Sequence, residues 1–221
     1  MKISYVLPVY NAQNTIARCI QSLLDQEIKP YEIIVIDDAS TDHTQRILDH
    51  YIDKLTLVIN NREREGAAKC RNKGNALAKG SVIAVCDADV YYKSRSSAIS
   101  QFFTENKDKS LFCSALHLRD ATNPWQEWLQ EAYDWDFKSK CPISHPTVAY
   151  RKKVIKKIKY KEITKDSDLY EFFLIDANKK KYKLGGCANP LMLKIEGNSN
   201  RNVEAARELK RQLYLKEGIK I

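Results

Sequence analysis

Residues 79–91 read KGSVIAVCDADVY, a run of small and apolar side chains that ends in two aspartates one residue apart. A hydrophobic strand that finishes in paired carboxylates has two explanations. One is a solvated turn. The other is a strand end that holds a divalent cation, because hard cations take oxygen ligands and leave positions for phosphate. The flanking sequence decides between them.

Upstream, ISYVLPVY (3–10) and YEIIVID (31–37) are short, β-branched, nearly continuous apolar runs, the pattern of strands buried on both faces. Between them Ile16, Cys19, Ile20, Leu23 and Leu24 share one helical face, with Asn14 as N-cap. ASTDHT offers Ser and Thr caps for a helix burying Ile47, Leu48, Tyr51 and Ile52. LTLVI (55–59) predicts a third strand, AAKCRNKGNALAK (67–79) a helix and SVIAVC (81–86) a fourth strand. This alternation predicts a mainly parallel, Rossmann-like α/β sheet flanked by helices. Ligands of such sheets bind outside the carboxyl ends of the strands. Here those ends read PVYN, DDAS and DAD, so three segments bring polar side chains to one edge.

The second half is less regular. SRSSAISQFF (94–103) reads as helix, LFCSALHL (111–118) as extended, HPTVAY (145–150) as strand, DSDLYEFFLIDAN (166–178) as helix, NPLMLKI (189–195) as strand and 202–218 as a helix. Trp125, Trp128 and Trp135 stand at helical spacing, and core accounts for at least two of them better than a sugar-stacking wall. No linker divides the 221 residues, which are enough for one sizeable core. One domain is expected, with 1–91 as a ligand-binding half and 92–221 as a more variable half ending in a helix.

No apolar run approaches the ~20 residues of a membrane span, and the N-terminus lacks a signal-peptide pattern. Six cysteines without C-x-x-C pairs predict buried free thiols in a reducing compartment. The net charge of +9 divides as +1 over residues 1–110 and +8 over 111–221, concentrated in 151–165 and 179–183. A basic face of that kind is either simply solvated or meets anionic lipid, nucleic acid or another polyanion.

Residues 4–44 closely resemble the opening of family 2 glycosyltransferases of the GT-A fold: an apolar strand before P-x-Y-N and a second before D-D-x-S-x-D. NREREGAAKCRNKGNALAKGSVIAVCDADV (61–90) is similar to the continuation, G-x-x-x-A-R-N-x-G, A-x-G and a strand ending in D-x-D. HPTVAYRKKVI (145–155) resembles the segment before the acceptor half, and TKDSDLYEFFL stands where the family has E-D-x-x-L-W. The match is dense over 3–91 and thinner from 145 to about 200.

The resemblance implies a hexosyltransferase that takes a sugar from a UDP-sugar donor with Mn2+ or Mg2+ and passes it to a saccharide or lipid-linked acceptor. Asp89 would ligate the metal, and Asp87, with Ala88 between them, would reach the ribose or the metal's water shell. Asp38 would accept from the uracil N–H and Asp37 would support its loop. Pro8, Val9, Tyr10 and Asn11 would shape the base pocket, with Tyr10 offering a ring face. Arg71 would lie near base and phosphates, since guanidinium pairs with phosphate oxygens. Gly66 would let backbone approach the ligand. Asp166 would be the general base of an inverting transfer, with Asp168 as alternative. Two departures stand out: Lys165 replaces the family's Glu before that base, and Lys194 and Glu196 stand where members carry Arg and His, leaving Glu196 as a third metal ligand or a surface residue. His145 reads as a structural hydrogen-bonder.

Two other classes compete. A sugar nucleotidyltransferase would want a Gly-rich phosphate loop, and LPVYNAQNT contains no glycine. A nucleic-acid-binding protein would interleave aromatics with its cations, and 152–165 offers only Tyr160, so no nucleic-acid partner is expected. A catalytically degenerate transferase is the third alternative, because of Lys165 and Glu196. The expected location is cytoplasmic, with peripheral contact at an anionic inner membrane face through the basic half. Oligomeric state leaves no trace in the sequence.

Overall fold

A computed structural model of the chain describes residues 1–117, 132, 135–137, 141–163, 169–194 and 203–216. The N-terminal part alternates as expected: β1 (Ile3–Val9), α1 (Ile16–Leu24), β2 (Glu32–Asp37), α2 (Thr44–Asp49), β3 (Leu57–Asn60), α3 (Ala67–Leu77) and β4 (Val82–Val85). There follow β5 (Val90–Tyr92), α4 (Arg95–Glu105), β6 (Leu111–His117), β7 (Ala149–Arg151), α5 (Tyr170–Lys179), β8 (Leu184–Lys194) and α6 (Val203–Lys216).

All eight strands form one sheet in the order β3-β2-β1-β4-β7-β6-β8-β5. The first four are parallel, β7 runs antiparallel to both β4 and β6, and β8 runs parallel to β6. Register shifts between β6 and β8, of the kind that bend a strand, let β8 pair with β6 at its start and antiparallel with β5 at its end. The result is the mixed, mostly parallel sheet flanked by helices that the strand–helix rhythm predicts.

Period-two alternation assigns the two faces. Ile3, Tyr5, Leu7, Val9, Ile33, Val35, Val82 and Ala84 belong to a core that includes Ile16, Cys19, Ile20 and Leu23 of α1 and Ile99 and Phe103 of α4. Val6, Ile34, Ile36, Ile83 and Val85 belong to the opposite core, with Ala68 and Cys70 of α3 and Phe172 and Phe173 of α5. Burying each such side chain contributes ~1.5–3 kcal/mol, so both helical layers are held firmly on the sheet. None of the six cysteines is in a disulfide and five are buried, as expected. Trp135 is core, 4.3 Å from the Phe137 ring, whereas Trp125 and Trp128 lie outside the described residues.

Several local expectations fail for identifiable reasons. Thr15, not Asn14, precedes α1, and no side-chain cap forms. Ser40 and Thr41 do not cap α2, because both are engaged by residues 11 and 37 in the neighbouring loops. Ile52 is exposed, since α2 stops at Asp49. The stretch 145–150 is not one strand: His145–Thr147 form a 3-10 turn around Pro146 before β7 begins. β8 starts five residues before the expected strand, at Leu184, and β5 was not anticipated at all.

Candidate functional site

The site is built where parallel strands stop. Val9, Asp37 and Asn60 lie side by side in register, so the chain leaves β1, β2 and β3 along one edge. The turn after β4 emerges at the same edge, because Val85 pairs with Val6 and Cys86 N–H donates to the Val6 carbonyl. PVYN, DDAS and DAD are thus brought together, as their positions after buried strands imply.

The first two loops are laced to each other. Asn11 N–H donates to Ser40 Oγ at 3.0 Å, and Thr41 N–H returns to Asn11 Oδ1 at 2.8 Å. Ala12 N–H donates to Thr44 Oγ1 at 2.8 Å and Gln13 N–H to Asp42 Oδ2 at 3.1 Å. Asn11 (φ 48°) and Ala39 (φ 60°) are both left-handed. Asn tolerates that conformation, but for Ala it costs ~1–2 kcal/mol, and such strain concentrates at functional sites. Asp37 receives Ser40 Oγ–H at 2.5 Å, and burial pushes its carboxyl above the usual range, partly offset by that hydrogen bond. Asp37 therefore braces its own loop.

Asp38 is committed more heavily. Its Oδ1 accepts from Asn61 Nδ2 at 2.9 Å and Glu65 N–H at 2.7 Å, and its Oδ2 from Gly66 N–H at 2.8 Å. The carboxylate thus organises the loop between β3 and α3. Gly66 has φ 94°, which a side chain would resist, and this is the physical reason for glycine there. Lys73 ties the same loop, donating to Asn61 Oδ1 at 2.6 Å and pairing with Glu65 at 3.0 Å.

In the turn after β4, Arg71 reaches from α3 and donates from Nη2 to Asp87 Oδ1 at 2.6 Å. Arg71 is buried and Asp87 partly exposed. The expected phosphate-side cation and the first aspartate of D-x-D are therefore one unit. Asp89 and Ala88 are half-buried beside it. Pro8 is half-buried and Val9 buried in the sheet. Tyr10 is half-buried with the Arg64 guanidinium 4.5 Å from its ring centre, so one ring face is covered by a cation that the sequence did not single out. Asn61 and Ser40 were missed too; an acceptor-rich strand end such as Asp37–Asp38 requires donors nearby, but nothing local says which.

The donor set suits a hard divalent cation. Asp87 and Asp89 offer carboxylate oxygens only, and the adjacent thiol of Cys86 is buried with burial raising it to about 12. No cluster of three His, Cys, Asp or Glu suited to a metal occurs among the described residues. Mg2+ and its like need no such cage, being held by one or two carboxylates together with waters and substrate phosphates. Asp166, Asp168 and Glu196 lie outside the described residues. His145 is buried, 3.0 Å from Tyr160 Oη and stacked at 4.5 Å on Tyr170, in keeping with a structural role.

Comparison with known proteins adds three findings. The family model described as "Glycosyl transferase family 2" matches residues 4–159. A glucosyltransferase of Escherichia coli, WfaP, whose name gives UDP-Glc as donor and a GlcNAc-diphosphoundecaprenol as acceptor, is 39% identical over 90 residues, covering 41% of this chain and 36% of its own. The matched stretches span 30–37% of the length of such curated relatives. Among solved structures, S. aureus TarS with UDP-GlcNAc superimposes with TM-score 0.71 at 21% identity, over 90% of this chain and 59% of that one. Glucosyl-3-phosphoglycerate synthase of Mycobacterium tuberculosis, with Mn2+, UDP and phosphoglyceric acid, gives 0.70 at 18% identity over 100% and 80%. These likenesses establish the architecture, a GT-A fold.

Proposed function

The chain belongs to glycosyl transferase family 2, and from that membership we propose an inverting, metal-dependent hexosyl transfer from a UDP-sugar to an acceptor hydroxyl. One observation carries the proposal. The loops after β1, β2 and β3 are hydrogen-bonded to one another along a single edge, and the D-x-D turn that emerges at the same edge has its first carboxylate clamped by Arg71.

Asp87 and Asp89 would hold Mn2+ or Mg2+, which when bound supplies Lewis-acid stabilisation to the departing diphosphate. Arg71 orients Asp87 and adds fixed positive charge on the diphosphate side. Tyr10, with Pro8 and Asn11, forms the wall for uracil, and Arg64 holds the ring from behind. Asp38 keeps the loop through Gly66 in place and presents its remaining acceptor capacity to the base. The general base is assigned on sequence to Asp166, with Asp168 as alternative. The complexes of the structural relatives with UDP, UDP-GlcNAc and Mn2+ support donor and metal. The WfaP name supports a saccharide acceptor carried on a lipid.

A cytoplasmic location, with the basic C-terminal half meeting anionic lipid headgroups, fits such an acceptor. No helix among the described residues is long and apolar enough to cross a membrane. The test is thermal unfolding with UDP and Mn2+. Wild type should be stabilised by the pair together, as binding to the folded state requires, and Asp89→Ala should lose the metal-dependent part. Equal stabilisation of Asp89→Ala refutes the assignment.

A further inference from the structure

Arg95, at the start of α4, is completely buried on the sheet face below the D-x-D turn. No carboxylate among the described residues pairs with it. A buried guanidinium is costly to desolvate, so its contacts must repay the burial. Nη1 donates to the Val85 carbonyl at 2.6 Å and Nη2 to the Val148 carbonyl at 2.9 Å. Val85 is the last residue of β4, and its N–H already bonds the Val148 carbonyl. The fork therefore closes the β4–β7 ladder one step before the turn that carries Asp87 and Asp89.

The same guanidinium stands 5.0 Å from the ring centre of Tyr92. Tyr92 Oη accepts the Asp87 N–H at 2.9 Å. Tyr92 is fixed in turn: its N–H donates to Ser22 Oγ at 3.0 Å and its carbonyl accepts from Gln26 Nε2 at 3.0 Å. Gln26 Oε1 then receives Arg95 N–H at 2.8 Å and Ser96 N–H at 3.0 Å. The circuit is closed and touches the end of β4 at the Val85 carbonyl and the turn at the Asp87 amide.

We propose that Arg95 and Tyr92 are positioning residues for the reaction, holding the D-x-D turn from beneath so that its carboxylates stay aimed at a divalent cation. Arg71 sets Asp87 from the ligand side through its carboxylate; Tyr92 and Arg95 set it from the core side through the backbone. The inference rests on the donor and metal reading above. Groups that orient metal ligands from behind typically change metal affinity 10–100-fold when removed.

The experiment is a Mn2+ titration by electron paramagnetic resonance in the presence of UDP, on wild type, Tyr92→Phe and Arg95→Met, with UDP affinity measured separately without metal. Tyr92→Phe keeps the ring and removes the hydroxyl that accepts from Asp87 N–H and also hydrogen-bonds the Cys86 thiol. It should melt within a few degrees of wild type, bind UDP alone unchanged, and bind Mn2+ about 10-fold or more weakly. Arg95→Met should act in the same direction and more strongly. A folded Tyr92→Phe with wild-type Mn2+ affinity overturns the inference, as does an equal loss of metal-free UDP binding. Failure of both variants to fold also overturns it, since the circuit is then only core. Wild type that binds no Mn2+ beside UDP overturns the metal reading along with it.

Discussion

Replacing Asp38 by Asn changes one atom in the site and has a calculable consequence. The carboxylate accepts three hydrogen bonds from a buried position, two at Oδ1 and one at Oδ2. An amide keeps its single oxygen where two donors converge, toward Asn61 and Glu65, and so points its NH2 at the Gly66 N–H. Donor then faces donor across what was a 2.8 Å hydrogen bond. Losing a hydrogen bond to a charged acceptor costs ~1.5–3 kcal/mol, and a buried amide left without an acceptor costs ~1–3 kcal/mol. These describe the same lost bond from two sides, so the expected destabilisation is about 3 kcal/mol. For a chain of this size that lowers the melting temperature by roughly 6–12 °C. Urea unfolding of wild type and Asp38→Asn measures it, with UDP affinity expected to fall as the loop loosens. Unfolding free energies within about 0.5 kcal/mol would refute the assignment of Asp38 as organiser of that loop.

Three further outcomes follow from the packing and the charges. Gly186→Ala would drive a Cβ into the Cys113 carbonyl of the paired strand, where backbone cannot yield, so destabilisation at or above the ~1–3 kcal/mol of ordinary overpacking is expected by chemical denaturation. Ala39→Gly should stabilise by up to ~1 kcal/mol by relieving a left-handed alanine, less what the unfolded chain gains in freedom; a loss above ~1 kcal/mol would contradict the strain. Because burial raises the Asp37 carboxyl, its favourable contribution is present at acid pH, below the ordinary carboxylate value, and is lost as pH rises through the raised one. Wild type should therefore lose stability relative to Asp37→Asn as pH rises above the ordinary carboxylate range; a difference that is flat or opposite in sign would count against the shift.

β1, β2 and β4 were legible because strands buried on both faces read as unbroken apolar runs, whatever they pair with. β5 was not. Val90–Tyr92 carries no period of its own and is a strand because the end of β8 lies beside it. The 3-10 turn at His145 was misread for a related reason, since a Pro inside an apolar run leaves strand and turn equally open until β4 and β6 choose their partners.

At the site, residue order alone was enough to say that carboxylates, an aromatic and a cation gather where strands end, because a parallel sheet must deliver its strand termini to one edge. It could not say which oxygen meets which donor. Arg71 finds Asp87 from 16 positions away, Asn61 finds Asp38 from 23, and Asn11 finds Ser40 from 29. Tyr92 belongs to no element that the sequence predicts, and Arg95 reads as one ordinary residue of a helix. Hydrogen bonds are satisfied within a few tenths of an ångström, and spacing along the chain carries no such resolution, so those partnerships exist only once the register of the sheet has placed the groups face to face.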